Sequence, residues 1–185
     1  DPEQRSWSAE RITAIDLPGY AIGGVAVGET TEQILAVVRH TAPLLPDGKP
    51  RYLMGVGYER DLLGAVRAGV DMFDCVLPTR NGRNANAFTP AGLVRLRNAK
   101  FALDREVLEP GCDCACCAGG FSRGYLRHLF LAEEMLGPML VSLHNLRYFQ
   151  RFMGDIRATI ATDDWAGLVR RYPVASPALE GLTEG

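Results

Sequence analysis

Along the chain, short runs of consecutive apolar residues alternate with stretches in which apolar positions recur every three or four. Residues 1–17 are polar, and Ser8-Ala9-Glu10-Arg11 predicts one short helical turn. Gly19-Tyr20-Ala21-Ile22-Gly23-Gly24-Val25-Ala26-Val27 is an apolar run broken by glycines. That is the pattern of a buried strand ending in a loop where backbone must approach something closely. Thr30 or Thr31 can cap a helix whose apolar stripe is Ile34, Leu35, Val37 and Val38. After a Pro/Gly turn from Pro43 to Lys49, Arg51-Tyr52-Leu53-Met54-Gly55-Val56 is a second strand that again meets a glycine. A second helix is expected from about Glu59 to Ala68, stopped by Gly69, and the third strand is Val70 to Leu77. Strands alternating with helices in this way predict parallel βαβ units and an α/β fold.

After Pro78 the rhythm changes. Thr79 to Asn86 reads as a polar loop, and Gly92 to Phe101 alternates like an exposed strand. Three helices are expected to follow, over Ser122–Leu136, Pro138–Gly154 and about Asp155–Arg171, with a loose tail from Tyr172. No internal repeat is visible.

Composition narrows the class. Of 185 residues, 47% are apolar and 23% charged, which suits a globular chain and excludes a disordered one. No uncharged apolar run approaches the ~18–20 residues that span a membrane, and no signal-peptide pattern opens the chain. A net charge of −2 gives no global sign of a nucleic-acid partner. The charge is unevenly spread, however. From Cys75 to Leu103 there is no acidic residue, while Arg80, Arg83, Arg95, Arg97 and Lys100 contribute five positive charges beside Asn81, Asn84 and Asn86. Arginine forks among amide side chains suit phosphate and base-edge contacts in RNA; the alternative, a solvated face, is less attractive because the charge begins immediately beyond Asp74.

Four of the five cysteines crowd into Cys112, Cys114, Cys116 and Cys117. Without a signal peptide this points to a reducing compartment and a metal site, because vicinal Cys116 and Cys117 cannot bridge comfortably. Cys112, Cys114 and Cys117, with His144 from a later helix, satisfy the tetrahedral preference of Zn²⁺ and leave no open position. The zinc is therefore expected to be structural and to tie the cysteine loop to the helices. Cys116 could replace a neighbouring ligand, whereas His40 and His128 read as surface or packing residues.

Asp71 and Asp74, three apart on one strand, face opposite sides and so do not form a paired acid and base. Asp74 lies nearer the carboxyl end, where parallel α/β folds put their chemistry. Set among Phe73, Cys75 and Val76, its carboxylate is costly to bury without a partner or a task, Arg80 and Arg83 being the candidate ionic partners. Asp71 is expected only to begin the strand.

These blocks, in this order, resemble the queuine/archaeosine tRNA-ribosyltransferases, the tRNA-guanine transglycosylase family. The resemblance rests on Gly19–Gly24, Arg51–Gly57, the long block Asp71-Met72-Phe73-Asp74-Cys75-Val76-Leu77-Pro78-Thr79-Arg80, Arg97-Asn98-Ala99-Lys100, the Cys/His set and His144-Asn145-Leu146. It implies a (β/α)₈ barrel carrying a zinc subdomain, commonly as a homodimer, while the cysteine pattern without a signal peptide gives the expectation of a cytoplasmic chain. It implies exchange of guanine at the tRNA wobble position for a 7-deazaguanine. Asp74 would be the nucleophile that holds a covalent tRNA intermediate, with Gly23, Gly24 and Val25 offering backbone groups to the base. Met54 and Gly55 would line the pocket, and Arg80 and Arg83 would hold the anticodon loop. Val27 matches the bacterial form of its strand, which favours 7-aminomethyl-7-deazaguanine as the incoming base. Val25, Ala85 and Arg127 stand where the family usually has leucine, glycine and often histidine, and the stretch from Cys117 to Ser122 is one residue longer than the family pattern.

A (β/α)₈ barrel needs about 250 residues, and three strands cannot close one. The expectation is therefore the C-terminal part of a barrel: a lead-in over 1–17, barrel strands and RNA-contact loop over 18–103, zinc subdomain and helices over 104–172, and a tail over 173–185. The half supplying the acid/base aspartate would lie outside it, and the isolated chain, with an unpaired edge on its first strand, would be inactive and prone to aggregate. The alternative is a zinc-stabilised RNA-binding module or non-catalytic partner subunit. A zinc hydrolase is excluded, since a Cys₃His site is full.

Overall fold

In a computed structural model of the chain, residues 1–178 are described. The fold is mixed α/β with helices dominant, and it divides into two compact units. One holds residues 1–75 and, of the described residues, those from 175; the other holds residues 76–174.

The first unit opens with helix α1 (Pro2–Thr13), far longer than the single turn read around Ser8. The Asp1 carboxylate accepts from the Glu3 and Gln4 amides, and Pro2 occupies the first helical position, which its fixed φ favours. Strands β1 (Tyr20–Ile22), β2 (Arg51–Leu53) and β3 (Met72–Phe73) form a parallel sheet in the order β1-β2-β3, with Ile22 opposite Leu53 and Leu53 opposite Phe73. Helices α2 (Thr31–Thr41) and α3 (Glu59–Arg67) follow the first two strands, as the alternation predicts. The cap of α2 is Thr30, in a reciprocal box with Gln33, and α2 buries Ile34, Leu35 and Val38. Gly64 lets α3 approach α2 closely, since a Cβ there would lie 2.8 Å from both Leu35 methyls. These residues join Ile22, Leu53, Val56 and Val70 in one core.

Strand β3 is shorter than the eight residues from Val70 to Leu77. At its start the Asp71 carboxylate accepts from the Arg51 amide at 2.8 Å. At its end the Gly55 amide, a donor from the neighbouring segment, is taken by the Asp74 side chain instead of by main chain. The ladder closes there.

The second unit begins with the clearest difference from the sequence reading. Thr79–Asn86, expected as loop, lies largely in helix α4 (Leu77–Arg83). Pro78 sits in the first turn, where its missing N–H costs nothing, so it starts this helix rather than breaking the chain. Ala85, just beyond, has φ +61°, a left-handed conformation that explains a preference for glycine at this position. Strands β4 (Asn86–Thr89) and β5 (Gly92–Arg95) form an antiparallel hairpin. The short helix α5 (Ala115–Ala118) and helix α6 (Arg123–Leu131) precede helix α7 (Leu136–Thr162) and helix α8 (Trp165–Arg171). Gly154 does not divide α7, contrary to the two helices expected here. A helix-interior glycine costs only about 1 kcal/mol, and Phe152, Ile156 and Thr159 keep one face of α7 buried on both sides of it. The stop comes at Asp163, with φ 57°. The hairpin and α4 pack on α7, so the division between units falls after Cys75, earlier than the boundary at 103. The expected tail opens as a 3₁₀ helix (Pro173–Ala178), and residues 179–185 lie outside those described. Among the described residues no helix is long and apolar enough to cross a membrane.

Candidate active site and metal centre

In the first unit the carboxyl ends of the three parallel strands converge, the position where such sheets carry their chemistry. Asp74, one residue past β3, is exposed. Its Oδ1 accepts the Tyr52 hydroxyl at 2.6 Å and the Gly55 amide at 2.9 Å. These two neutral donors, and not an arginine, hold the carboxylate. The Tyr52 bond first, then the Gly55 bond, keep the Asp74 carboxyl below its ordinary range, because both stabilise the charged form. The same bond raises the Tyr52 phenol, which stays a proton donor at neutral pH.

The loops after β1 and β2 flank this carboxylate. A Cβ on Gly23 would lie 3.5 Å from the Met54 sulfur, and one on Gly55, at φ +76°, would lie 3.9 Å from the Ala26 methyl. Gly23, Met54 and Gly55 thus share one neighbourhood with Asp74. Gly24 belongs to the same loop at φ +67°. The Val25 side chain is buried in the core, so only its backbone is available, while Val27 is exposed. Two participants escape sequence reasoning. Tyr52 reads there only as a strand residue. Arg5 of α1 donates to the Gly23 carbonyl at 3.2 Å and to the Gly24 carbonyl at 3.3 Å, clasping the loop from behind. No local pattern could mark either, since each acts across the tertiary fold.

In the second unit Arg80 and Arg83 lie on α4, exposed and without a side-chain hydrogen bond or ion pair among the described residues.

The metal centre lies in the same unit. Cys112, Cys114, Cys117 and His144 are all buried, and their ligand atoms lie within 4.8 Å of one another. The three sulfurs stand 3.8, 3.5 and 3.4 Å from His144 Nδ1. A tetrahedral ion with Zn–S of about 2.3 Å and Zn–N of about 2.1 Å sets S···N near ~3.6 Å, so the donor set fits Zn²⁺ in both chemistry and size. Cys116 is buried outside this set. His144 Nε2 lies 2.8 Å from the Phe88 carbonyl, which fixes that nitrogen as the protonated one and leaves Nδ1 for the metal. Cys114 caps α5, its sulfur accepting the Cys117 amide at 3.3 Å. Burial pushes the Cys112 thiol up to about 12; a hydrogen bond with Cys116, then burial, pushes Cys117 up to about 11. Three adjacent thiolates therefore need a cation. Salt bridges from α7 fasten the loop outside the ligands: Arg147 to Asp113 by two bonds of 2.7 and 2.8 Å, and Arg151 to Glu109 at 2.5 Å.

Comparison with known proteins gives the family of the chain. A profile of the family described as queuine tRNA-ribosyltransferase matches residues 1–177. Among curated relatives, a queuine tRNA-ribosyltransferase of Xanthomonas axonopodis pv. citri (strain 306) is 50% identical over 98% of this chain and 49% of its own length. That of Stenotrophomonas maltophilia (strain K279a) is 55% identical over 84% of this chain and 42% of its own. That of Xanthomonas campestris pv. campestris (strain B100) is 50% identical over 96% and 46%. The chain spans about half the length of the curated relatives it matches. With the cysteine–histidine cluster assembled as a zinc site and nearly the whole sequence matched, the chain belongs to the queuine tRNA-ribosyltransferase family.

Proposed function

We propose that this chain supplies the nucleophile, the structural zinc and part of the RNA surface of a tRNA-guanine transglycosylase. The observation that carries the reading is the Asp74 carboxylate at the carboxyl end of a parallel sheet, gripped through one oxygen between two glycine loops. With Oδ1 occupied, we assign the attack to Oδ2. It bonds to the ribose C1′ of the wobble nucleotide as the C1′–N9 bond breaks, and guanine departs with that electron pair and takes up a proton. The incoming 7-deazaguanine then attacks C1′ from the opposite side, loses its proton and returns the carboxylate. Two inversions give net retention, as in a retaining glycosidase. The donors that hold Asp74 ionised before attack also make it a competent leaving group afterwards.

Gly23, Gly24 and Val25 present backbone groups to the base, Met54 and Gly55 wall the pocket, and Arg80 and Arg83 hold phosphates of the anticodon loop. Val27 favours 7-aminomethyl-7-deazaguanine over a bulkier base. Zn²⁺ on Cys112, Cys114, Cys117 and His144 supplies no chemistry; it organises its loop and α7. By the family resemblance the three parallel strands are part of a (β/α)₈ barrel in a homodimer, cytoplasmic by its cysteine pattern, and the acid/base groups come from the family's other half. The test is incorporation of labelled guanine into unmodified tRNA by the full-length protein. RNA binding without incorporation would favour a non-catalytic RNA-binding module.

The Tyr52 bond gives a pH-dependent prediction. Removing a donor from the charged form raises the Asp74 pKa, so Tyr52→Phe moves the acid limb of adduct formation to higher pH. Rates of adduct formation measured from pH 4 to pH 8 check it; an unmoved limb would show that Tyr52 does not tune the nucleophile.

A further inference from the structure

Adjacent residues on a helix point about 100° apart, and on α7 the pair His144–Asn145 uses that angle to face two different structures. His144 turns Nδ1 to the three cysteine sulfurs and Nε2 to the Phe88 carbonyl. Asn145, completely buried, accepts the Phe88 amide on Oδ1 at 2.9 Å. Its Nδ2 donates to the Pro78 carbonyl at 2.8 Å and to the Asn86 carbonyl at 3.0 Å. One peptide segment of β4 is thus held by both residues, and the first turn of α4 is held by the second.

Helix α4 needs this support. It has seven residues, well under the ~12–15 at which an isolated helix becomes even marginally stable in water, so its orientation comes from packing. Its buried side lies on α7, where Gly82 is so close that a Cβ would come within 2.8 Å of the Ser142 Cα and amide nitrogen. Arg80 and Arg83, three positions apart, occupy the exposed side. Along α4 the Asn145 amide therefore fixes the first turn, and the Gly82 contact the last turn, of a helix whose outer face carries two free guanidinium groups.

We infer that Asn145 is a positioning residue that couples the metal centre to the arginine-bearing face of α4, so that an intact Cys₃His site sets how Arg80 and Arg83 meet RNA. This rests on the reading of α4 as an RNA-contacting helix. The coupling runs through ordinary bonds: metal to His144, His144 to Phe88, Phe88 to Asn145, Asn145 to Pro78.

The test uses the full-length protein and a tRNA anticodon stem-loop with guanine at the wobble position. Asn145→Asp keeps an oxygen for the Phe88 amide and withdraws the two N–H donors from Pro78 and Asn86. It is expected to retain one zinc per chain by metal analysis, yet to bind RNA about tenfold more weakly. Its log-affinity against log-salt slope should be flatter by about one phosphate contact. In an Arg80→Ala/Arg83→Ala background the same substitution should have no further effect, because it acts through those arginines; an additive loss would mark a general structural role and overturn the inference. Zinc retained with RNA affinity and salt slope unchanged would also overturn it. If Asn145→Asp fails to fold, Gly82→Ala carries the test, since it lifts α4 from Ser142 without touching the Asn145 bonds; parental affinity in that variant overturns the proposal. If Arg80→Ala/Arg83→Ala itself leaves RNA affinity unchanged, the RNA-facing role of α4 is what fails. If that variant weakens binding while Asn145→Asp does not, only the coupling fails.

Discussion

Asp74→Asn is expected to eliminate the covalent tRNA–protein adduct on a denaturing gel and to lower base exchange by roughly 10³-fold or more. Asparagine has the shape of aspartate, and its amide oxygen still accepts from Tyr52 and Gly55, so the grip on Oδ1 survives. What disappears is the charged second oxygen. An amide NH₂ in its place is neither a nucleophile toward C1′ nor a leaving group in the return step. Because the residue is exposed, the melting temperature should stay within a few degrees of the parent, which separates lost chemistry from lost fold. An undiminished adduct would remove Asp74 from the mechanism.

The second large effect concerns the metal. Chelation, or Cys117→Ser, should unfold the unit built from residues 76–174 and lower its melting temperature steeply. Structural zinc is worth on the order of 10 kcal/mol to a small domain, comparable with the whole ~5–15 kcal/mol stability of a typical fold. Here the ligands also belong to the hydrophobic core, packed with Leu108, Leu126, Leu140 and Val141. Losing the ion leaves a polar cluster at the centre of that core rather than at its margin. The pH dependence has a definite sign. Cys112 and Cys117 have thiols pushed up to about 12 and about 11, so protons compete with the metal throughout the neutral range. Acidification favours the protons. Zinc affinity should fall by up to about a thousandfold per pH unit, one decade for each of three thiols that must be deprotonated. The stability that the metal confers is present at neutral pH and lost as pH falls. Competition titration with a zinc indicator across pH 6 to pH 8 checks this, and a flat profile would mean that no thiol loses its proton to the metal.

The sequence carries the pieces of both sites better than their assembly. The Cys-x-Cys-x-x-Cys spacing is local, so the metal ligands are legible from spacing and residue type alone. Asp74 stands out by its place near the end of an apolar strand, but its surroundings do not. Tyr52 reaches it from the neighbouring strand, a pairing that depends on parallel register and on nothing in the sequence near either residue. The elements that differ from the sequence reading share a cause. Propensity alone makes Pro78 and Gly154 breakers, whereas Pro78 falls in a first turn and Gly154 lies in a helix held by packing on either side. Intrinsic preferences of about 1 kcal/mol yield to such packing. The parallel sheet and its first two helices are legible because their glycine-ended apolar runs repeat the same arrangement.

The clasp of Arg5 on Gly23 and Gly24 has a consequence for molecular recognition. In a trans peptide the N–H points away from its carbonyl, so turning the Gly23 and Gly24 oxygens toward α1 turns the Gly24 and Val25 amides the other way. Glycine loops otherwise sample many conformations, and ordering them at the moment of encounter weakens affinity. Here the loop is held in the folded chain by Arg5, a residue eighteen positions before Gly23. On the proposed reading of these amides as contacts to the base, selectivity at the front of the loop is written partly into helix α1. Grafting the loop alone onto another scaffold would transfer its letters without its shape.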